Sequence, residues 1–177
     1  KLLAERQAFW HEFWPKSFLH ITSPRGEGDF LENLWHLFFY DLASMSRGTL
    51  CPKLNGGNWM VEKDSRWWGG GYWHQNTREI FWPAYAANRV ELTQPFFDLY
   101  GRAAACAREN GRVGLGVDGY YIPEWIPIHV AAAKARRQIK PPGGYTAFIF
   151  TVGLEVSLQA WWRYEFTGDE RFLREYA

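Results

Sequence analysis

Long apolar runs are missing from this chain. No stretch approaches the roughly 18–20 residues that a bilayer-spanning helix requires, so no segment reads as a membrane span. An excess of one charge is missing too. The 20 Lys and Arg stand against 19 Asp and Glu, a net charge of +1. A nucleic-acid partner would ask for a basic face to neutralise phosphates, so none is expected. Cysteine is scarce: Cys51 and Cys106 are the only two. Neither lies in a CxxC pair, which argues against a zinc or redox motif and leaves a single disulfide between them open. The chain carries no initiating Met, and Lys1 to Trp14 mixes charge into its apolar pattern, unlike a signal peptide. Nothing resembles a phosphate-binding glycine loop, a Ser-His-Asp set or a metal cluster. No cofactor and no metal are therefore expected.

What the chain has is aromatic side chains: 11 Trp, 9 Tyr and 13 Phe in 177 residues. Such rings suit a core and a sugar-stacking cleft alike. The regular apolar pattern is helical. Leu2, Leu3, Phe9, Trp10, Phe13 and Trp14 form a first stripe that stops at Pro15. Leu31, Leu34, Trp35, Phe38, Leu42 and Met45 recur at three and four residues, an amphipathic helix. Further helices are predicted over 77–89, from Thr93 as N-cap to Asn110, from Pro127 to Gln138, and from Tyr145 to Phe166. Gly168 should close the last of these, with Asp169 capping its successor. Strand signals are confined to Trp59–Val61 and Tyr120–Ile122, so the fold class is all-α.

Between Gly48 and Asn76 the chain runs for roughly thirty residues without a clear helix, well beyond the usual loop length. This stretch holds Gly56, Gly57, Gly69, Gly70 and Gly71 together with Trp59, Trp67, Trp68 and Trp73. Glycines let backbone approach a ligand closely, and tryptophans offer stacking faces. An aromatic-walled pocket rim is one reading. A satellite core packed beneath an irregular segment is the other.

Several blocks taken in order resemble the catalytic domain of glycoside hydrolase family 95, the α-L-fucosidase family. They are Ser46-Arg47-Gly48-Thr49-Leu50-Cys51-Pro52 with Gly56 and Trp59; Trp67, Tyr72 and His74-Gln75-Asn76; Phe81-Trp82-Pro83-Ala84; Asn88, Glu91-Leu92 and Pro95-Phe96-Phe97-Asp98. Upstream, Phe9 to Trp14 is similar to the aromatic helix that opens the family's barrel. Downstream, Tyr164 to Asp169 is similar to a helix ending shared among six-hairpin toroids. Only Gly114 to Gly144 fits poorly.

The resemblance implies an (α/α)6 toroid and an inverting hydrolase of terminal α-linked sugars such as L-fucose or L-galactose. Its substrate would be an oligosaccharide or glycoconjugate, in a secreted or periplasmic setting. Inversion uses an acid and a base about 6.5–9.5 Å apart, with the attacking water between them. In the family an Asn-x-Asn pair helps activate that water. Here the second asparagine is Asn76 and the first is replaced by His74. The histidine can orient or deprotonate water, or be an ordinary loop histidine. Asn76 can line the pocket and also cap the helix that follows it. Trp59, Trp67, Tyr72 and Trp73 are candidate sugar-binding aromatics. Glu79, beside Arg78, is a candidate hydroxyl ligand or half of a plain ion pair. Glu124-Trp125 sets an acceptor beside a stacking surface and is a candidate second wall.

The family's acid and its partner Asp are expected after Ala177. A six-hairpin toroid also needs about twice the helices this sequence shows. Residues 1–177 are accordingly expected to be a single fragment, roughly the first half of a catalytic domain, truncated at both ends. Two competitors stand beside the hydrolase reading. One is a carbohydrate-binding descendant of the scaffold that has lost catalysis. The other is a phosphorolytic six-hairpin enzyme, which would depend on phosphate.

Overall fold

A computed structural model describes residues 1–53, 71–128, 146 and 149–176. The chain begins with α1 (Leu2–Phe13), which passes at Pro15 into a 3-10 turn over Trp14–Lys16. α2 (Glu27–Met45) follows. Then come β1 (Gly71–Trp73), two short helices α3 (His74–Arg78) and α4 (Trp82–Ala86), and the long α5 (Gln94–Asn110). A 3-10 turn over Val90–Thr93 leads into α5 and a π turn over Gly111–Leu115 leaves it; β2 (Trp125–Pro127), α6 (Thr151–Thr167) and α7 (Glu170–Tyr176) follow. The fold is mostly α, as the helical periodicity predicts.

α5 is the centre of the core. Phe96, Phe97, Leu99, Tyr100, Ala103 and Cys106 are all buried. Against them pack Phe81 at the N-cap of α4, Phe39 and Leu42 from α2, Val152 and Ala160 from α6, and Phe172 from α7. Each large apolar side chain so buried contributes about 1.5–3 kcal/mol of transfer free energy. Cys51 and Cys106 are both buried and no disulfide joins them, so the pairing left open by the sequence is not formed.

The structure corrects several predicted boundaries. The helix expected over 77–89 is two helices. Pro83 sits in the first turn of α4, where its missing N–H leaves no helix bond unmade. Asn88 then turns left-handed, at φ 54°, a conformation asparagine tolerates better than most residues. α3 begins at His74, with Trp73 as its N-cap. Asn76 is therefore inside the helix and does not cap it. The Tyr120–Ile122 stretch is not a strand; the sheet is Gly71–Trp73 with Trp125–Pro127. Trp59–Val61 lies outside the described residues, as does most of the helix predicted over Pro127–Gln138. α6 starts at Thr151, later than predicted: Phe150 precedes it and packs its ring 5.5 Å from Tyr121.

Other local rules hold. α5 runs from Gln94 with Thr93 at its N-cap, although the Thr93 hydroxyl donates back to the Val90 carbonyl. Gly168 closes α6 at φ 67°, and Asp169 Oδ1 accepts the Phe172 N–H at 3.0 Å. In α2 the buried face is Phe39, Leu42 and Ala43, while Leu31 and Leu34 of the predicted stripe are exposed.

Candidate functional site

The site is assembled by a two-strand contact between segments about fifty residues apart. β1 and β2 are antiparallel, pairing Gly71 with Pro127, Tyr72 with Ile126 and Trp73 with Trp125. Gly71 is required there. A Cβ at this position would meet the Trp125 indole and would lie 2.6 Å from the Ile126 carbonyl oxygen. The short sheet thus sets Trp73 and Trp125 directly opposite each other, both half-buried.

β1 runs straight into α3, and the residue before β2 holds α3's first turn. The Glu124 carbonyl accepts the His74 N–H at 2.8 Å. One Glu124 carboxylate oxygen accepts the Gln75 N–H, also at 2.8 Å. These are two of the N–H groups that a helix start leaves without partners. Glu124 is buried. Burial raises its pKa above the ordinary carboxylate range, against the opposing effects of the Gln75 N–H and of Arg78.

His74 is 2 % exposed. Its ring stands edge-on to Tyr100, with centroids 5.6 Å apart, and 6.4 Å from Phe96. Nδ1 lies 2.6 Å from the Tyr100 hydroxyl oxygen. Burial, helped by the nearby Arg78 cation, lowers the His74 pKa from 6.5 to about 3. The imidazole is thus neutral at physiological pH and a weak proton acceptor. Burial pushes the Tyr100 phenol upward, so it keeps its proton.

Arg78 sits at the other end of α3. It pairs with Glu155 of α6 at 3.4 Å, not with its neighbour Glu79, which is exposed. Its guanidinium also stands 5.5 Å from the Trp82 ring centroid. Gln159 extends the polar chain, donating to Glu155 at 3.4 Å and accepting the Tyr85 hydroxyl at 3.0 Å.

Of the residues singled out in the sequence, His74, Asn76, Trp73, Glu124 and Trp125 therefore converge around β1–β2 and α3. Tyr72 does not stand at a rim: it is buried in the core cluster, and burial raises its pKa to about 12. Trp59 and Trp67 lie outside the described residues. Sequence reasoning missed Tyr100, Arg78 as the partner of Glu155, and Glu155 itself. A signal for the last was available. Glu155 and Gln159 are four residues apart on a helix whose apolar side carries Val152, Val156 and Ala160, so both point a polar group toward the core.

The assembled chemistry is a neutral imidazole, a carboxamide, a partly shielded ion pair and two tryptophans at paired strand positions. That set suits a hydroxyl-rich, uncharged ligand with apolar faces. Among the described residues no group of three His, Cys, Asp or Glu could hold a metal ion, and no helix is long and apolar enough to cross a membrane.

Comparison with known proteins agrees with this chemistry. The glycosyl hydrolase family 95 catalytic domain matches residues 22–177. The aromatic segment Phe9–Trp14 lies before that span. No curated protein and no solved structure matches the chain. The family match covers most of the sequence, including the whole of the β1–α3 and Glu124–β2 region, and the chain belongs to glycosyl hydrolase family 95, a family of enzymes that cleave glycosidic bonds in carbohydrates.

Proposed function

We propose that this chain supplies the water-side wall of an inverting glycosidase acting on terminal α-linked sugars, L-fucose or L-galactose, in an oligosaccharide or glycoconjugate. The observation that carries the reading is one short helix that bears both His74 and Asn76 and is held at its start by Glu124, with Trp73 and Trp125 paired across the strands beside it. In this reading the indoles take the apolar faces of the sugar. The Asn76 carboxamide and the His74 ring orient the attacking water and neighbouring hydroxyls. Trp59, Trp67 and Glu79 keep their assignment as substrate-binding residues.

Glu124 is occupied with the Gln75 N–H and Glu155 with Arg78. We therefore assign the acid and base carboxyls of the inverting reaction to residues outside this chain, which would form one part of an (α/α)6 toroid. One observation favours the alternative of a carbohydrate-binding descendant: a histidine held neutral down to about pH 3 cannot take a proton from water as readily as a base tuned near neutrality.

The test is turnover by the full-length protein of p-nitrophenyl α-L-fucoside and its L-galactoside counterpart, with the first-formed anomer followed by proton NMR. Release of the inverted sugar is expected, and Asn76→Ala should lower kcat by about 100-fold, in the range of one positioned acid–base or orienting group. Saturable sugar binding without turnover would replace the hydrolase by the binding descendant. Cleavage only in the presence of phosphate would replace it by a phosphorolytic enzyme.

A further inference from the structure

His74 has one ring nitrogen in use and one that is not. Nδ1 is bonded to the Tyr100 hydroxyl at 2.6 Å, whereas Nε2 is buried and, among the described residues, has no hydrogen-bond partner. A neutral imidazole carries one donor and one acceptor nitrogen, so two arrangements are open. In the first, the Tyr100 O–H donates to Nδ1, and the ring proton resides on Nε2. In the second, Nδ1–H donates to the phenol oxygen, and the phenol proton must find another acceptor.

Donor economy separates them. Tyr100 is 4 % exposed, and among the described residues Nδ1 is the partner the structure gives its hydroxyl. The second arrangement leaves two buried groups unsatisfied, the phenol proton and the Nε2 lone pair. The first leaves only the Nε2–H. Each unsatisfied buried group costs its desolvation without return. The imidazolium, with protons on both nitrogens, is disfavoured by burial against Phe96 and Tyr100 beside the Arg78 cation.

We infer that Tyr100 is a positioning residue that locks His74 in the Nε2–H tautomer, so that His74 donates a hydrogen bond to a ligand oxygen and does not accept a proton from it. The inference deepens the proposed carbohydrate site and rests on it for the identity of the ligand. It divides the work of α3. The proton of the attacking water goes to the base carboxyl assigned to residues outside this chain, and Asn76 orients that water. His74 offers a fixed donor to a lone pair, on the water or on a sugar hydroxyl. An asparagine can serve as donor or acceptor at such a position; a histidine with Nδ1 already engaged can only donate.

The tautomer is readable without any activity. In full-length protein labelled with 15N at histidine, long-range proton–nitrogen correlations should show His74 with Nδ1 unprotonated and Nε2 protonated. That pattern should hold from about pH 8 to about pH 5, where ordinary histidines titrate. Tyr100→Phe should release the preference, giving a mixture of tautomers. A wild-type ring protonated on Nδ1, or a Tyr100→Phe ring with its tautomer unchanged, overturns the inference.

Kinetics with p-nitrophenyl α-L-fucoside locate the oxygen. Tyr100→Phe should lower kcat/KM about fivefold, the size of one net hydrogen bond. A loss in kcat alone identifies the attacking water, and a loss carried by KM identifies a sugar hydroxyl. Unchanged kinetics with an altered tautomer overturn the functional half of the inference. A wild-type protein that neither binds nor cleaves glycosides, yet shows the Nε2–H ring, sinks the proposed function and leaves the Tyr100–His74 assignment standing.

Discussion

His74 shows at the scale of one residue how burial changes what a side chain can do. In the unfolded chain it titrates near 6.5, and in the fold near 3. Between those values the unfolded state holds a proton that the native state does not, so stability falls as the pH falls. The contribution is fully present above pH 6.5 and is lost progressively toward pH 3, by roughly 1 kcal/mol per pH unit where the difference is largest. Glu124 acts with the opposite sign. Its raised pKa favours the protonated native state at low pH, and that stability is lost as pH rises through the raised value. The discriminating quantity is therefore the difference between wild type and His74→Gln. Urea unfolding between pH 7 and 4 should show wild type losing stability faster on acidification than the variant. Parallel curves would show that His74 is not the buried neutral group described here. The sequence singles out His74 with its ordinary pKa. Burial by Tyr100 and Phe96 of α5 could not be read from a tripeptide.

The helix ends were the most legible feature at the scale of the element. Thr167-Gly168-Asp169 reads as a stop and a start because glycine accepts a left-handed φ and aspartate accepts an N–H three residues on. Both occur. Asp169→Ala should cost about 1 kcal/mol, seen as a lowered Tm, and Asp169→Asn should recover most of it. The loss reaches beyond α7 itself. That helix places Phe172 edge-on to Phe97 of α5, with centroids 4.7 Å apart, and brings Phe172 beneath the Arg163 guanidinium. An undiminished Tm in Asp169→Ala would mean that the contacts of Phe172 and Tyr176 hold α7 in place without the cap. Where the periodicity was ambiguous, the elements came out differently. The apolar stretch Phe81–Ala87 has helical spacing, but Pro83 can only sit in a first turn, and the chain divides there. The β1–β2 pair was not legible at all. Three-residue strands carry too few residues for alternation to register, and this pair forms because Gly71 admits the Trp125 ring.

Arg89 ties the beginning of the chain to the rest of the molecule. It is fully buried, and its guanidinium donates to the carbonyls of Phe13, Trp14 and Ser17 while covering the Phe13 ring at 3.9 Å. Those carbonyls lie where α1 gives way to its 3-10 turn, so one side chain satisfies a helix end whose own bonds have run out. Arg89→Ala should destabilise the protein by about 2–4 kcal/mol, since buried acceptors lose their donors. Arg89→Lys should rescue little, because an ammonium lacks the planar fork that reaches several carbonyls at once. Chemical denaturation checks both, and a full rescue by lysine would reduce Arg89 to a point charge. Other surfaces of the described structure remain uncovered. Phe30, Leu31, Leu34 and Leu37 of α2 and Leu154, Trp161 and Phe166 of α6 are exposed. Apolar faces of this extent usually meet a partner element, which supports the proposed place of the chain within a larger helical toroid.

The sequence by itself determined the helical class, the start of α5 after Thr93, the caps at Gly168 and Asp169, the family, and the sequence neighbourhood of His74 and Asn76. Each of these is written in local spacing or in an ordered set of motifs, and local chemistry is enough to read it. Only the tertiary structure decided which distant residues serve that neighbourhood. Glu124 reaches α3 across about fifty residues to hold its first turn, Glu155 crosses from α6 to take Arg78, and Tyr100 comes from α5 to engage one nitrogen of His74. Such partners are fixed by how helices pack around α5. Packing is a property of the whole chain, so no single stretch of sequence carries it.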